Sequence, residues 1–188
     1  MRRNLLEATK PADRIAVPEA PTAREEAELF LSPRWVHAVA ERIETAKRAD
    51  QYFMNLLADF SLRVLYVIEG IPRGLRRFYG GRPQAQIFVN LHRGKARRIE
   101  VGPAASEEDI DVRVTVQYEI ARQLFLGELS PAVTIINGKV KAEPAAEFRR
   151  WPLIAARGLV TANRILKTAR NVPTAFETQS NGAARRDR

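Results

Sequence analysis

The sequence predicts an α+β domain: about five strands in a mainly antiparallel sheet, covered on one face by short helices, with an amphipathic helix near each end. Three observations lead there. Several segments alternate apolar and polar residues, the period-2 pattern of a strand with one buried face. Others place apolar residues three and four apart, as an amphipathic helix does. These segments alternate at short intervals with Gly and Pro turns, and 188 residues at 45% hydrophobic content suffice for one good core.

Residues 1–30 hold Pro11, Pro18 and Pro21 among Ala and charged residues, too little apolar surface to offset ordering entropy, so a mobile tail is expected. The folded domain is expected over residues 31–170. Ser32-Pro33 reads as an N-cap followed by a first-turn proline, and Trp35, Val36, Val39, Ala40, Ile43 and Ala46 form one stripe of a helix to about Arg48. A short helical piece through Tyr52, Phe53, Leu56 and Leu57 leads to a strand from Leu62 to Glu69. Val64, Tyr66 and Ile68 share one face of that strand and Leu65 and Val67 the other, which marks it as central. Ile71-Pro72-Arg73-Gly74 ends it, and a basic, glycine-bearing loop runs to Pro83. Ala85, Ile87, Val89 and Leu91 alternate in the next strand, Arg93-Gly94 supplies a hairpin turn, and Ala96 to Val101 returns.

After an acidic linker at Glu107-Glu108-Asp109, Val112, Val114 and Val116 form a further strand. The period then changes. Ile120, Ala121, Leu124 and Phe125 recur at helical spacing, and Gly127 stands where a helix stops. Ser130-Pro131 opens a second apolar piece with Val133, Ile135 and Ile136, and Asn137-Gly138 turns into the alternating Lys139 to Glu143. From Ala145 to about Thr168 the chain reads helical again, interrupted at Pro152, and residues 171–188 read as a disordered basic tail.

The segment from Val112 to Lys141 resembles the sterol carrier protein 2 family. The resemblance rests on an apolar strand (Val112 to Val116), a short helix (Ile120 to Leu126), a Gly-x-Leu-x-Pro turn (Gly127-Glu128-Leu129-Ser130-Pro131), an apolar piece (Val133 to Ile136) and a Gly-Lys-x-Lys strand (Gly138-Lys139-Val140-Lys141). With weaker upstream support it covers roughly residues 51 to 157. The Arg73 to Arg82 segment departs from the pattern in being longer and more basic. The resemblance implies a non-enzymatic domain that holds a lipid or other elongated apolar molecule in a tunnel between sheet and helices. The expected lining is Phe88, Val112, Val114, Val116, Ile120, Leu124, Phe125, Val133, Ile135, Ile136, Val140, Trp151 and Ile154. As an alternative, it also permits an accessory protein presenting a quinone or isoprenoid to partner enzymes.

Chemistry at the reactive residues is sparse. The sequence has no cysteine, none of the Gly-rich phosphate loops, no His-Glu-x-x-His and no nucleophile elbow. His37 and His92 lie far apart on a helix and near a hairpin, and the three adjacent carboxylates at 107–109 lack a glycine-turned loop to complete a cation site. No catalytic residue, metal or cofactor is expected. The net charge is +9, concentrated in Ser61 to Ala104 and Pro144 to Arg188, each with nine basic residues against two and three acidic ones. Such clustering suits an anionic surface. Arg73, Arg76, Arg77 and Arg82 are therefore expected to dock on membrane headgroups. They also flank Phe78 and Tyr79, a mixture used on single-stranded nucleic acid, which is the weaker reading because no nucleic-acid module is visible. No apolar run approaches the roughly 20 residues of a membrane span, so a cytoplasmic protein, peripheral at the membrane, is expected.

Overall fold

A computed structural model of the protein describes residues 26–102, 110–145 and 151–177. A five-stranded sheet lies at its centre, in the order β4-β3-β2-β5-β6. The strands are β2 (Leu62–Glu69), β3 (Gln84–His92), β4 (Lys95–Val101), β5 (Val112–Gln117) and β6 (Val140–Pro144). Three pairings are antiparallel, and β2 with β5 at the centre is parallel. A parallel pair needs a long crossover. Here β3 and β4 fill it as a hairpin, turned at Arg93-Gly94 with φ of 48° and 70°. Gly94 is required twice over, since a Cβ there would also collide with the Leu57 backbone.

One face of the sheet carries the helices: α1 (Pro33–Ala49), α2 (Gln51–Leu57), α3 (Tyr118–Leu126), α4 (Pro131–Ile136) and α5 (Trp151–Ala169). The expected N-cap holds, with the Ser32 hydroxyl accepting from the Trp35 N–H at 3.2 Å and Pro33 in the first turn. Asp50 ends α1 and caps α2, accepting from the Phe53 N–H at 3.0 Å. The Arg73–Tyr79 segment, expected as a loop, is a 3-10 helix that buries Leu75 and Tyr79. Its apolar pair, four residues apart, gives it a reason to coil against the core.

Two of the short helices are pinned from α5 and its end. Arg157 donates to the Leu56 carbonyl at the end of α2, at 2.6 and 2.8 Å. Arg170, just past α5, donates to the Phe125 and Leu124 carbonyls at 2.5 and 3.1 Å. Both guanidinium groups thus satisfy carbonyls that a helix C-terminus leaves unpaired.

The ordered structure extends past the expected 31–170 limits at both ends. Strand β1 (Glu28–Leu29) pairs in parallel with β7 (Thr174–Ala175), and the Trp35 indole donates to the Thr174 hydroxyl at 2.9 Å. Phe30 and Phe176 join Trp35, Tyr118 and Phe125 in a ring cluster with centroids 4.8–5.9 Å apart. Reading those ends as tails weighed their Pro and charge and overlooked that two rings bury enough area to hold short segments down. The rest of both expected tails, the acidic linker and the segment just before α5 lie outside the described residues.

Candidate ligand-binding site

The helix-facing side of the sheet is set by β2 and its neighbours. Leu62, Val64, Tyr66 and Ile68 point to it, paired with Leu91, Val89, Ile87 and Ala85 of β3 on one side. On the other side Val64, Tyr66 and Ile68 pair with Val112, Val114 and Val116 of β5. These residues belong to two separate buried clusters. One gathers Ile68, Ala85, Ile87 and Val116 with Trp35, Leu75, Tyr79, Leu124 and Phe125; the other gathers Leu62, Val64 and Val112 with Phe53, Leu57 and Phe60.

Between them stands Tyr66. It is mid-strand in the central strand, its neighbours Val64 and Ile68 are 5% and 4% exposed, and yet 38% of its own surface is open. Burial also pushes its phenol above the ordinary value of 10.0. The ring is thus surrounded by protein and still accessible. Half-buried side chains flank both clusters: Val39 and Leu166 rest against the first, Ile43, Ala142 and Ile165 against the second, and Val114, the β5 partner of Tyr66, touches both. At the β4 edge a cleft of about 490 Å³ opens between α1 and the sheet, lined by Ala40, Glu41, Glu44, Arg48 and Ile99 among others.

The expected lining residues divide into groups. Val112, Val116, Leu124, Phe125 and Val140 are packed in the buried clusters, while Val114 and Ile120 are half-buried at their margin. Phe88 is a correction: its register with Leu65 puts it on the opposite face, where it packs with Leu65, Val67 and Ile110. A one-residue offset in a strand is a change of face. Val133, Ile135 and Ile136 face outward, Ile136 with 83% of its surface exposed, because α4 buries only Pro131 and Thr134 against the rest. The side chains of Trp151 and Ile154 lie outside the described residues. Sequence reasoning placed Tyr66 correctly on a face with Val64 and Ile68 but gave it no role; its one signal was a hydroxyl-bearing ring in an otherwise aliphatic strand.

In the basic segment Arg73, Arg77 and Arg82 are exposed, Arg77 stacking its guanidinium 4.7 Å from the Phe78 ring centroid. Arg76 is half-buried. Tyr79 is 1% exposed and donates to the Leu31 carbonyl at 2.5 Å, so it cannot stack on a base as the nucleic-acid alternative required. His37 and His92 are exposed and on separate elements, and no group of metal-binding side chains occurs among the described residues. No helix among them is long and apolar enough to cross a membrane.

No protein-family model and no curated protein sequence matches the chain. Solved structures do. A crystal structure of sterol carrier protein 2 aligns with a TM-score of 0.56 over 76% of this chain and 98% of its own, at 14% identity. A conserved hypothetical protein of Thermus thermophilus, suggested to be a sterol carrier protein, aligns with a TM-score of 0.57 over 79% of this chain and 92% of its own, at 15% identity. Both matches span nearly the whole of the other protein. The chain therefore carries a sterol carrier protein 2-like fold.

Proposed function

We propose that this protein binds a lipid or another elongated apolar molecule between its sheet and helices, without catalysing a reaction on it. The observation that carries the reading is the open surface of Tyr66 on the helix-facing side of the central strand, between the closely packed Val64 and Ile68. A soluble fold gains by filling such a space with its own side chains. Leaving it open favours a guest, which gains about 0.8 kcal/mol for each methylene removed from water. The fold supports the same reading, since one of the matching structures is a sterol carrier protein 2 and another is suggested to be a sterol carrier protein. Native mass spectrometry of freshly purified protein, followed by organic extraction, is expected to find a retained hydrophobic compound. Protein that binds no apolar probe after delipidation would overturn the reading.

Delivery at a membrane is the accompanying proposal. Arg73, Arg77 and Arg82 are exposed on one short segment, and each cation near an anionic bilayer contributes about 1 kcal/mol. Replacing the three with Glu is expected to abolish association with phosphatidylglycerol vesicles while leaving binding of a soluble apolar probe unchanged. Presentation of the guest to a partner enzyme uses the same space and is the reading to adopt if vesicle association is unaffected.

A further inference from the structure

Strand register brings two exposed segments, far apart in sequence, to one end of the sheet. Ile68 pairs with Ala85 and with Val116, and Val116 pairs with Val140, so β2 and β5 finish and β3 and β6 begin on the same side. The Arg73–Tyr79 helix and Arg82 join β2 to β3 there, and the end of α4 turns into β6 there. A cleft of about 310 Å³ lined by Glu69, Gln117, Ile120, Gly138 and Lys139, among others, places the strand ends beside the α4 turn. That turn is apolar at its tip. Ile136 is 83% exposed, more than any other large apolar side chain among the described residues, with Val133 and Ile135 also open beside it. The tip is also held outward by its backbone: the N–H groups of Asn137, Gly138 and Lys139 donate to the Val133, Ile135 and Thr134 carbonyls at 2.8–3.0 Å, and the buried Thr134 hydroxyl donates to the Pro131 carbonyl at 2.8 Å. Exposed Lys139 and Lys141 follow it. The carboxylates that meet this end are engaged: Glu69 by the Gln117 amide, Glu119 by Arg122 and Glu177 by the Gly74 N–H.

We infer that the α4 tip, Ile135 and Ile136, inserts into the interface of an anionic bilayer while Lys139 and Lys141 meet its phosphates together with Arg73, Arg77 and Arg82. This rests on the membrane reading above and goes further by adding an apolar contact and the orientation it imposes, with this end of the sheet against the bilayer. Exposed apolar side chains on a rigid turn gain by leaving water, and flanking Lys stems reach the headgroups from the same depth. The cations favour lipid over protein as the occupant, because Lys is depleted at protein–protein interfaces and phosphates complement it. The two contacts differ in kind. Salt screens the cationic one and leaves the apolar one in place.

The chain has no cysteine, so Asn137→Cys and His92→Cys each offer a single site for the environment-sensitive fluorophore NBD. The first lies next to Ile136, and the second at the opposite end of the sheet, where β3 finishes. On phosphatidylglycerol vesicles, NBD at 137 is expected to shift its emission to the blue and to be quenched by lipid brominated in its acyl chains; NBD at 92 is expected to do neither. In the unlabelled chain, Ile136→Ser is expected to weaken vesicle partition about tenfold, and that ratio to persist as salt is raised. Circular dichroism verifies the fold of each variant. NBD at 137 that stays in water on bound protein, or an unchanged partition of Ile136→Ser, overturns the insertion and leaves the membrane reading standing. So does a dimer in sedimentation that Ile136→Ser dissolves, which would make the tip a contact between copies. Failure of the wild-type protein to bind the vesicles overturns the membrane reading, and the inference with it.

Discussion

Helices α3 and α4 follow one another in the chain, are comparably apolar, and were expected to line the same tunnel, yet the fold buries one and exposes the other. In α3, Tyr118, Leu124 and Phe125 enter the main cluster; in α4, Val133, Ile135 and Ile136 are open and only Pro131 and Thr134 are buried. The difference lies in length and place. Nine residues leaving the end of an inner strand can present a stripe to the core, and Gly127, at φ 85°, closes the helix with its N–H and that of Glu128 bonded back to the last turn. Six residues beside the edge strand β6 offer inward only the two positions three apart, and the remaining side chains point out. Apolar character thus states what a segment can bury, and its attachment decides what it does bury.

That contrast can be broken most directly at Phe125. Phe125→Ala is expected to destabilise the protein by about 3–5 kcal/mol in urea unfolding, because it removes a buried ring from a packed aromatic cluster; a loss below about 1 kcal/mol would mean α3 is not anchored as described. The start of the same helix offers a pH test. Burial, reinforced by Glu177 and opposed by Arg122, pushes the Tyr118 phenol from 10.0 up to about 12. The group is raised in the folded state, so its contribution is fully present below pH 10 and is lost as pH climbs to 12. On the order of 2–3 kcal/mol should disappear in that window, beyond what Tyr118→Phe shows. Tyr79, raised by the same cause, adds to the loss in the same direction.

Smaller still is the effect expected at the far end of α3. Arg170→Met should cost about 1–3 kcal/mol, since it strips the guanidinium from the Phe125 and Leu124 carbonyls, and hydrogen exchange should accelerate in the last turn of α3 ahead of the sheet. At the bottom of the scale, Ile136→Ser on α4 should change stability by no more than about 0.5 kcal/mol. A larger loss would show that α4 is covered by something in solution and would erase the contrast.

The strands and the turn chemistry were legible because each carries a local signature. Alternation at Val112, Val114 and Val116, the Ser32-Pro33 cap, the Arg93-Gly94 turn and Gly127 after α3 all act within a few residues. The 3-10 helix at Arg73–Tyr79 was missed because Pro and Gly at its start read as a loop, and the β1–β7 pair because its two strands of two residues each lie far apart in sequence. The candidate site was legible only in part. Period-2 reasoning grouped Tyr66 with Val64 and Ile68, but placing Phe88 on the opposite surface, with Leu65, needed the register between β2 and β3, which no single strand encodes.

By itself, then, the sequence determined the class of fold, the sign and placement of its charge, and which strand residues share a face, since these follow from side-chain period and local conformational preference. Tertiary structure alone decided that the core would divide into two clusters, that α4 would turn its apolar residues outward, and that Tyr66 would be left open between well-packed neighbours. Those outcomes depend on how distant elements fit against one another, and close packing is a property of the assembled volume rather than of any segment that fills it.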